Sequence, residues 1–126
     1  MQYAVLLYAD ERLWSEATAE ERASYHAAHT AFDEAVRSRA KMLGGEALVA
    51  VAGATTLRHD ADGGRMVTDG PYAETTEQLG GFYLVDAPDL DTMMGLCDLL
   101  PHAYTVEVRP VADMTGADDW LDATRA

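Results

Sequence analysis

The stretch RMVTDGPYAETTEQLGGFYLVD, residues 65–86, holds two runs that read as β-strands, Arg65 to Thr68 and Gly81 to Asp86. Twelve residues separate them, whereas a hairpin connection takes about two to five. The two runs therefore do not form a simple hairpin, and each must find its partner elsewhere in the chain. Between them, Asp69-Gly70-Pro71 is turn chemistry. Asp bonds backbone amides through its side chain, Gly allows positive φ, and Pro fixes the φ that follows. A turn does not require the residues that come next, Tyr72, Glu74, Thr75 and Glu77. A long, well-specified loop on a rigid sheet is a usual place for a binding site.

Working outward, Asp60-Ala61-Asp62-Gly63-Gly64 is a tight-turn cluster that makes Thr55 to His59 the hairpin partner of Arg65 to Thr68. Ala47 to Ala52 reads as another short strand. Residues 2–8 are apolar on both alternating faces, with Tyr3, Val5 and Leu7 on one and Ala4, Leu6 and Tyr8 on the other. A helix starts at Thr18, where Glu21 three residues later completes a capping box. Tyr25, Ala28, Phe32, Ala35, Val36 and Met42 give it one apolar stripe, and Gly44-Gly45 is expected to end it. Pro88-Asp89 opens a second helix that carries Leu90, Met93, Met94, Cys97 and Leu100 inward, and Pro101 stops it. Tyr104 to Val111 is the last strand, with Val106 and Val108 opposite Glu107 and Arg109. Residues 1–114 make one domain, and the acidic segment from Thr115 to Ala126, with Trp120, is a tail.

The order β-α-β-β-β-β-α-β is a ferredoxin-like α+β arrangement: an antiparallel sheet, two helices on one face, and an added hairpin between the halves. Two helices cover one face only. Strands apolar on both faces then predict a second cover, most simply the same face of another subunit, hence a homodimer. A formal net charge of −13 with Lys41 as the single lysine argues against nucleic acid and against an anionic membrane surface as partners. Cys97 is alone, so neither an intrachain disulfide nor a Cys-based zinc site can form. The apolar N-terminus lacks a basic flank and meets Asp10 and Glu11 early, so a cytoplasmic location is expected.

VTDGPYAETTEQLGGFYLVDAPDLD, followed after a helix by VEVRPV, resembles the YCII-related family, in particular its DGPF-domain branch. YAVLLYADE at the N-terminus and GGEAL after the first helix fit as well, so the similarity spans roughly residues 2–114. The resemblance implies a dimeric α/β barrel built from ferredoxin-like subunits. Two positions depart from the family's usual pattern: Tyr72 stands where the motif has Phe, and Thr76 where many relatives have Lys. The family's implied chemistry is a His–Asp pair in small-molecule enzymes, for which His29 and Asp98 are the matching residues here. The DGPF branch further implies an association with extracytoplasmic-function sigma factors.

The residues themselves offer three candidate groups. Asp69, Tyr72 and Glu74 stand in the loop, where Glu74 and Glu77 at i, i+3 either form a paired-carboxylate site that raises one pKa or are simply solvated. His26, His29 and Asp33 share one surface of the first helix and read as solvated or edge-of-core residues, as an acid–base or ligand-binding site, or, at this spacing, as metal ligands. Arg109 is either a structural ion pair with Glu107 or the loop carboxylates, or an anchor for a carboxylate ligand. No HExxH, GxSxG, P-loop or dinucleotide fingerprint occurs, and neither a metal nor a cofactor is expected. Two functions fit. One is a small-molecule binder or acid–base enzyme with a cleft near the DGPY loop and the dimer seam. The other is a non-catalytic dimeric sensor or adaptor for a regulatory protein.

Overall fold

The structure, a computed structural model, describes residues 1–113; the predicted tail with Trp120 lies outside the described residues. Strand β1 (Gln2–Ala9) leads into a one-turn helix α1 (Arg12–Ser15) and the long helix α2 (Ala19–Arg39). Then come β2 (Lys41–Ala47), β3 (Thr55–His59), β4 (Arg65–Asp69), β5 (Gln78–Asp86), helix α3 (Leu90–Cys97) and β6 (Thr105–Pro110). Four strands form an antiparallel sheet in the order β2-β5-β1-β6, and β3-β4 form a separate two-stranded sheet. With the hairpin set aside, this is the ferredoxin-like α+β arrangement expected from the sequence, with α1 as an addition.

The core follows from side-chain alternation. Tyr3, Val5 and Leu7 of β1 are buried against the helices, and they align with Val85 and Tyr83 of β5 and with Val108 and Val106 of β6. Phe32 and Val36 of α2 and Met93, Leu96 and Cys97 of α3 close the layer from above. Each such side chain contributes about 1.5–3 kcal/mol relative to exposure. The capping box forms as read: Thr18 Oγ1 accepts from the Glu21 amide at 3.1 Å, and Glu21 Oε1 accepts from the Thr18 amide at 3.0 Å.

Three local expectations are corrected. Helix α2 ends at Arg39, and Gly44-Gly45 lie inside β2 rather than capping the helix, so Met42 packs on the core from a strand. Gly45 is explained by the strand pairing of β2 with β5, which sets it opposite Tyr83. Residues 48–50 are irregular and Val51–Gly53 make a single 3-10 turn, so no strand spans Ala47 to Ala52. On α3, Leu90 and Met94 point outward and Leu96 takes the inward place, because the helix is only two turns long and presents one narrow side to the sheet.

The quoted stretch crosses between the two sheets. Among the described residues β4 pairs only with β3, while β5 pairs with β1 and β2 in the main sheet. The loop between them closes back on the hairpin base through the Gly70 amide to the Ala54 carbonyl at 2.7 Å and Thr56 Oγ1 to the Gly70 carbonyl at 2.8 Å. Gly70 sits at φ +101°, a backbone that favours glycine.

Candidate functional site

Polar side chains from three elements and the turn ahead of β6 converge on the helix side of the sheet. His29 is carried by α2, half-buried, one turn before the buried Phe32. Tyr83 comes from β5, whose inward register it shares with Val85. Tyr104 stands just ahead of β6, held by its amide to the Pro101 carbonyl at 3.0 Å. Trp14 is on α1, its ring against Tyr25 at 5.0 Å and against His26 at 5.2 Å.

These residues form one chain of hydrogen bonds. Nδ1 of His29 lies 2.7 Å from Tyr83 Oη, Nε2 lies 2.9 Å from Tyr104 Oη, and Trp14 Nε1 donates to Tyr104 Oη at 3.0 Å. An indole N–H only donates, so the neutral imidazole has two ways to complete the pattern. With the proton on Nδ1, His29 donates to Tyr83, Tyr104 donates to Nε2, and the Tyr83 hydroxyl proton is free for the cleft. With the proton on Nε2, the chain reverses and the Tyr104 hydroxyl proton is free. Burial, assisted by His26, lowers the His29 pKa below the ordinary 6.5, so the neutral form is favoured. Burial likewise raises both phenols above 10.0, which keeps them protonated donors.

The chain borders a cleft of about 970 Å³, within the range of ligand pockets. Its walls are β1 and α1 at residues 7–15, the start of α2 with Arg22 and His26, the β2 end with its irregular continuation at residues 45–51, and β5 at residues 78–83. One bond ties the α1 side to the opposite wall: the Val51 amide donates to Glu11 Oε1 at 3.1 Å. Gly45 is part of the construction. A Cβ there would stand 2.7 Å from Tyr83 Cδ1 and 2.8 Å from the Phe82 carbonyl, so glycine is what lets Tyr83 and the Phe82 backbone come this close to β2.

Of the residues singled out from the sequence, His26 and His29 line the cleft. Asp69, Tyr72, Glu74, Asp98 and Arg109 are outside its lining. Tyr72 is 77% exposed, and its backbone carbonyl accepts from Arg58 Nη2 at 3.4 Å. Glu77 accepts from Thr105 Oγ1 at 2.8 Å, which leaves it apart from Glu74 in its bonding. Asp98 follows α3, where its backbone carbonyl accepts from His102 Nε2 at 2.9 Å. Asp33 is bound by Arg37 Nε at 2.9 Å. Glu107 takes the Tyr8 hydroxyl at 3.3 Å, and among the described residues Arg109 makes no ion pair. No three His, Cys, Asp or Glu side chains cluster as a metal site among the described residues.

Sequence reasoning passed over Trp14, Tyr83, Tyr104 and Arg22. Tyr83 and Tyr104 carried one signal: each is an aromatic with a polar tip on the buried face of a strand pattern, and a buried phenol needs a partner. Trp14 carried none, since its one-turn helix has no periodicity to read.

A relative from Rhizobium meliloti (strain 1021), described as an uncharacterized protein, is 40% identical over 116 residues, covering 89% of this chain and 93% of its own. The sequence profile of the YCII-related domain matches residues 1–115. With the whole described fold inside that match, the chain belongs to the YCII-related family.

Proposed function

We propose that the protein binds a small molecule in the Trp14–His29 cleft and moves protons on it, as an isomerase or an elimination enzyme does. The observation that carries this is a half-buried histidine bonded between two phenols, with all three residues lining the same cleft. Such a chain takes a proton at one end and returns one at the other. A ligand proton passes to Tyr104 Oη while the Tyr104 proton moves to Nε2. The Nδ1 proton then moves to Tyr83, and the Tyr83 proton returns to a second ligand atom. No net charge develops on the protein, and the imidazole finishes in its other tautomer, to be reset by the reverse transfer or by water. Trp14 Nε1–H steadies any negative charge on the Tyr104 oxygen.

The test is proton exchange. A panel of small carbonyl compounds is incubated with the protein in D2O and followed by NMR for deuterium incorporation or double-bond migration. Wild-type protein accelerates one class of them, and His29→Gln does not. Equal exchange by both proteins removes the acid–base role.

Within the family we place the chain in the DGPF branch, on Asp69-Gly70-Pro71 and the matching flanks, with Tyr72 in the final motif position. A homodimer belongs to the same reading. Ala4, Leu6, Phe82 and Leu84 occupy the sheet face that no helix covers among the described residues, and all four are half-exposed. Light scattering at micromolar concentration checks this, and a monomer overturns it. A cytoplasmic location is also part of it, resting on the single cysteine, which is buried and free.

A second reading rests on other residues. The β3-β4 arm is exposed almost throughout, with Leu57 and Val67 paired across it at 52% exposure each. An isolated two-stranded hairpin is marginal in water, so a covering regulatory protein such as a sigma factor gives that arm a role without catalysis. Recovery of such a partner in a pull-down that fails with Leu57→Asp supports it.

A further inference from the structure

We propose that the ligand of this cleft is a small organic anion with an apolar body, and that Arg22 is the residue that binds its carboxylate. The inference deepens the cleft reading above, since it rests on the cleft being a ligand site, but it does not depend on proton transfer.

Two independent features support it. The first is the state of the charges. Among the residues lining the cleft, Arg22 is the one permanent cation. Its Nε and Nη2 donate to the backbone carbonyl of Trp14 at 3.2 and 3.0 Å. A carbonyl holds the guanidinium in place without neutralising it, and Arg22 forms no ion pair among the described residues. The carboxylates nearby are differently engaged. Asp10 is closed by Arg12, with Nη2 to Oδ2 at 2.6 Å, which holds its pKa at about 2. Glu11 accepts the Val51 amide from across the cleft, which positions its charge without neutralising it. Glu11 and Glu46 are the lining carboxylates without an ion-pair partner among the described residues, and Arg22 is the fixed cation set among them. A guanidinium that is pre-positioned but not neutralised favours a planar two-oxygen anion, because its fixed fork loses little freedom on binding.

The second feature is the apolar wall. Leu48, Val49 and Leu79 are 45%, 79% and 37% exposed, and all three line this cleft. Large apolar side chains left open beside a concavity are surface that an apolar ligand covers. Arg22 and His29 lie on one side of α2, seven residues apart, hence roughly 10 Å along the axis at about 1.5 Å per residue. His26 stands between them. A ligand anchored at Arg22 and reaching the His29 chain therefore has the length of two fused rings or a medium acyl chain.

The test compares three probes of one shape by calorimetry on the full chain: 1-naphthoate, 1-naphthylmethanol and 1-naphthylmethylamine. The expected order is naphthoate tightest. Arg22→Gln weakens naphthoate by about tenfold or more while changing naphthylmethanol by less than about twofold. Arg22→Lys recovers part of the loss, since it restores charge without the fork. Where Arg22→Gln is poorly folded, the wild type still decides: naphthoate affinity falls with added salt and naphthylmethanol affinity does not. Tightest binding of the amine, equal affinities for naphthoate and the alcohol, or no binding of any probe overturns the inference. Because the readout is binding alone, failure here is separable from failure of the D2O exchange, which tests the histidine chain.

Discussion

In the cleft, Trp14, His29, Tyr83 and Tyr104 each bond to a side chain carried by a different element of the fold. In the 69–77 loop the bonds mostly stay local or go to backbone: Thr75 Oγ1 donates to the Glu77 carbonyl and Gln78 Nε2 to the Thr75 carbonyl at 2.6 Å. The loop is specified by consecutive residues, and its side chains, Tyr72 foremost, are displayed to solvent. The cleft is specified by residues scattered from position 7 to position 104, and Trp14, His29, Tyr83 and Tyr104 are turned toward one another. A motif that is easy to see in one line of sequence is good at fixing a backbone path. A site that does chemistry needs groups brought in from several directions.

The largest expected difference between the two regions is in turnover. Against a substrate identified by the exchange assay, His29→Gln loses about 100-fold or more, the usual scale of a lost acid–base group. Glu74→Gln and Arg109→Gln, exposed and outside the cleft, stay within about threefold. A Glu74→Gln loss equal to that of His29→Gln transfers the chemistry to the loop.

Stability separates the regions next. Tyr104→Phe removes one hydroxyl and leaves both Trp14 Nε1–H and a His29 nitrogen without partners, a cost of about 1–3 kcal/mol in urea unfolding. Tyr72→Phe, on an exposed ring, costs less than about 0.5 kcal/mol. Two glycines refine the contrast. Gly45→Ala drives a methyl into the Tyr83 ring and the Phe82 carbonyl, which costs about 1–3 kcal/mol and also lowers turnover by displacing Tyr83 from His29. Gly70→Ala meets no atoms but must hold φ +101°, which costs about 1–2 kcal/mol and leaves turnover unchanged. Equal effects of the two on turnover remove the positioning role of Gly45.

The fold was legible for physical reasons. Tyr3, Val5 and Leu7 alternate because one sheet face is buried, Phe32 and Val36 recur at helical spacing, and Thr18 with Glu21 announces a helix start. Gly44-Gly45 was misleading because a glycine pair after a helix looks like a stop. Here close packing of Tyr83 against β2, a contact between residues far apart in sequence, is what demands glycine. The site was legible in part. His29 stood out as a titratable residue on a helix that otherwise alternates between core and solvent. Its partners did not, because a tyrosine on a buried strand face reads first as packing. Only the sheet register, which aligns Tyr83 with Val5 beneath α2, shows that its hydroxyl meets an imidazole.

The smallest expected effect concerns pH, and it follows from the same burial. The native His29 pKa lies below 6.5 because burial, aided by His26, disfavours the charged ring. The unfolded chain therefore binds that proton at higher pH than the folded chain. Between the two pKa values the unfolded state carries more protons, so the free energy of unfolding rises with pH. His29 thus contributes a loss of stability that begins as pH falls below about 6.5, is complete below the native pKa, and is absent above neutrality. The quantity to measure is the difference in unfolding free energy between wild type and His29→Gln from pH 7.5 to about 5, which isolates the contribution of this one imidazole. That difference shifts toward the variant as the pH drops. The loop substitution Tyr72→Phe adds no group that titrates there, and its difference from wild type stays level across the series. A flat curve for His29→Gln as well would mean that the imidazole is no more sheltered than the loop, and the neutral relay between Tyr83 and Tyr104 would lose its physical basis.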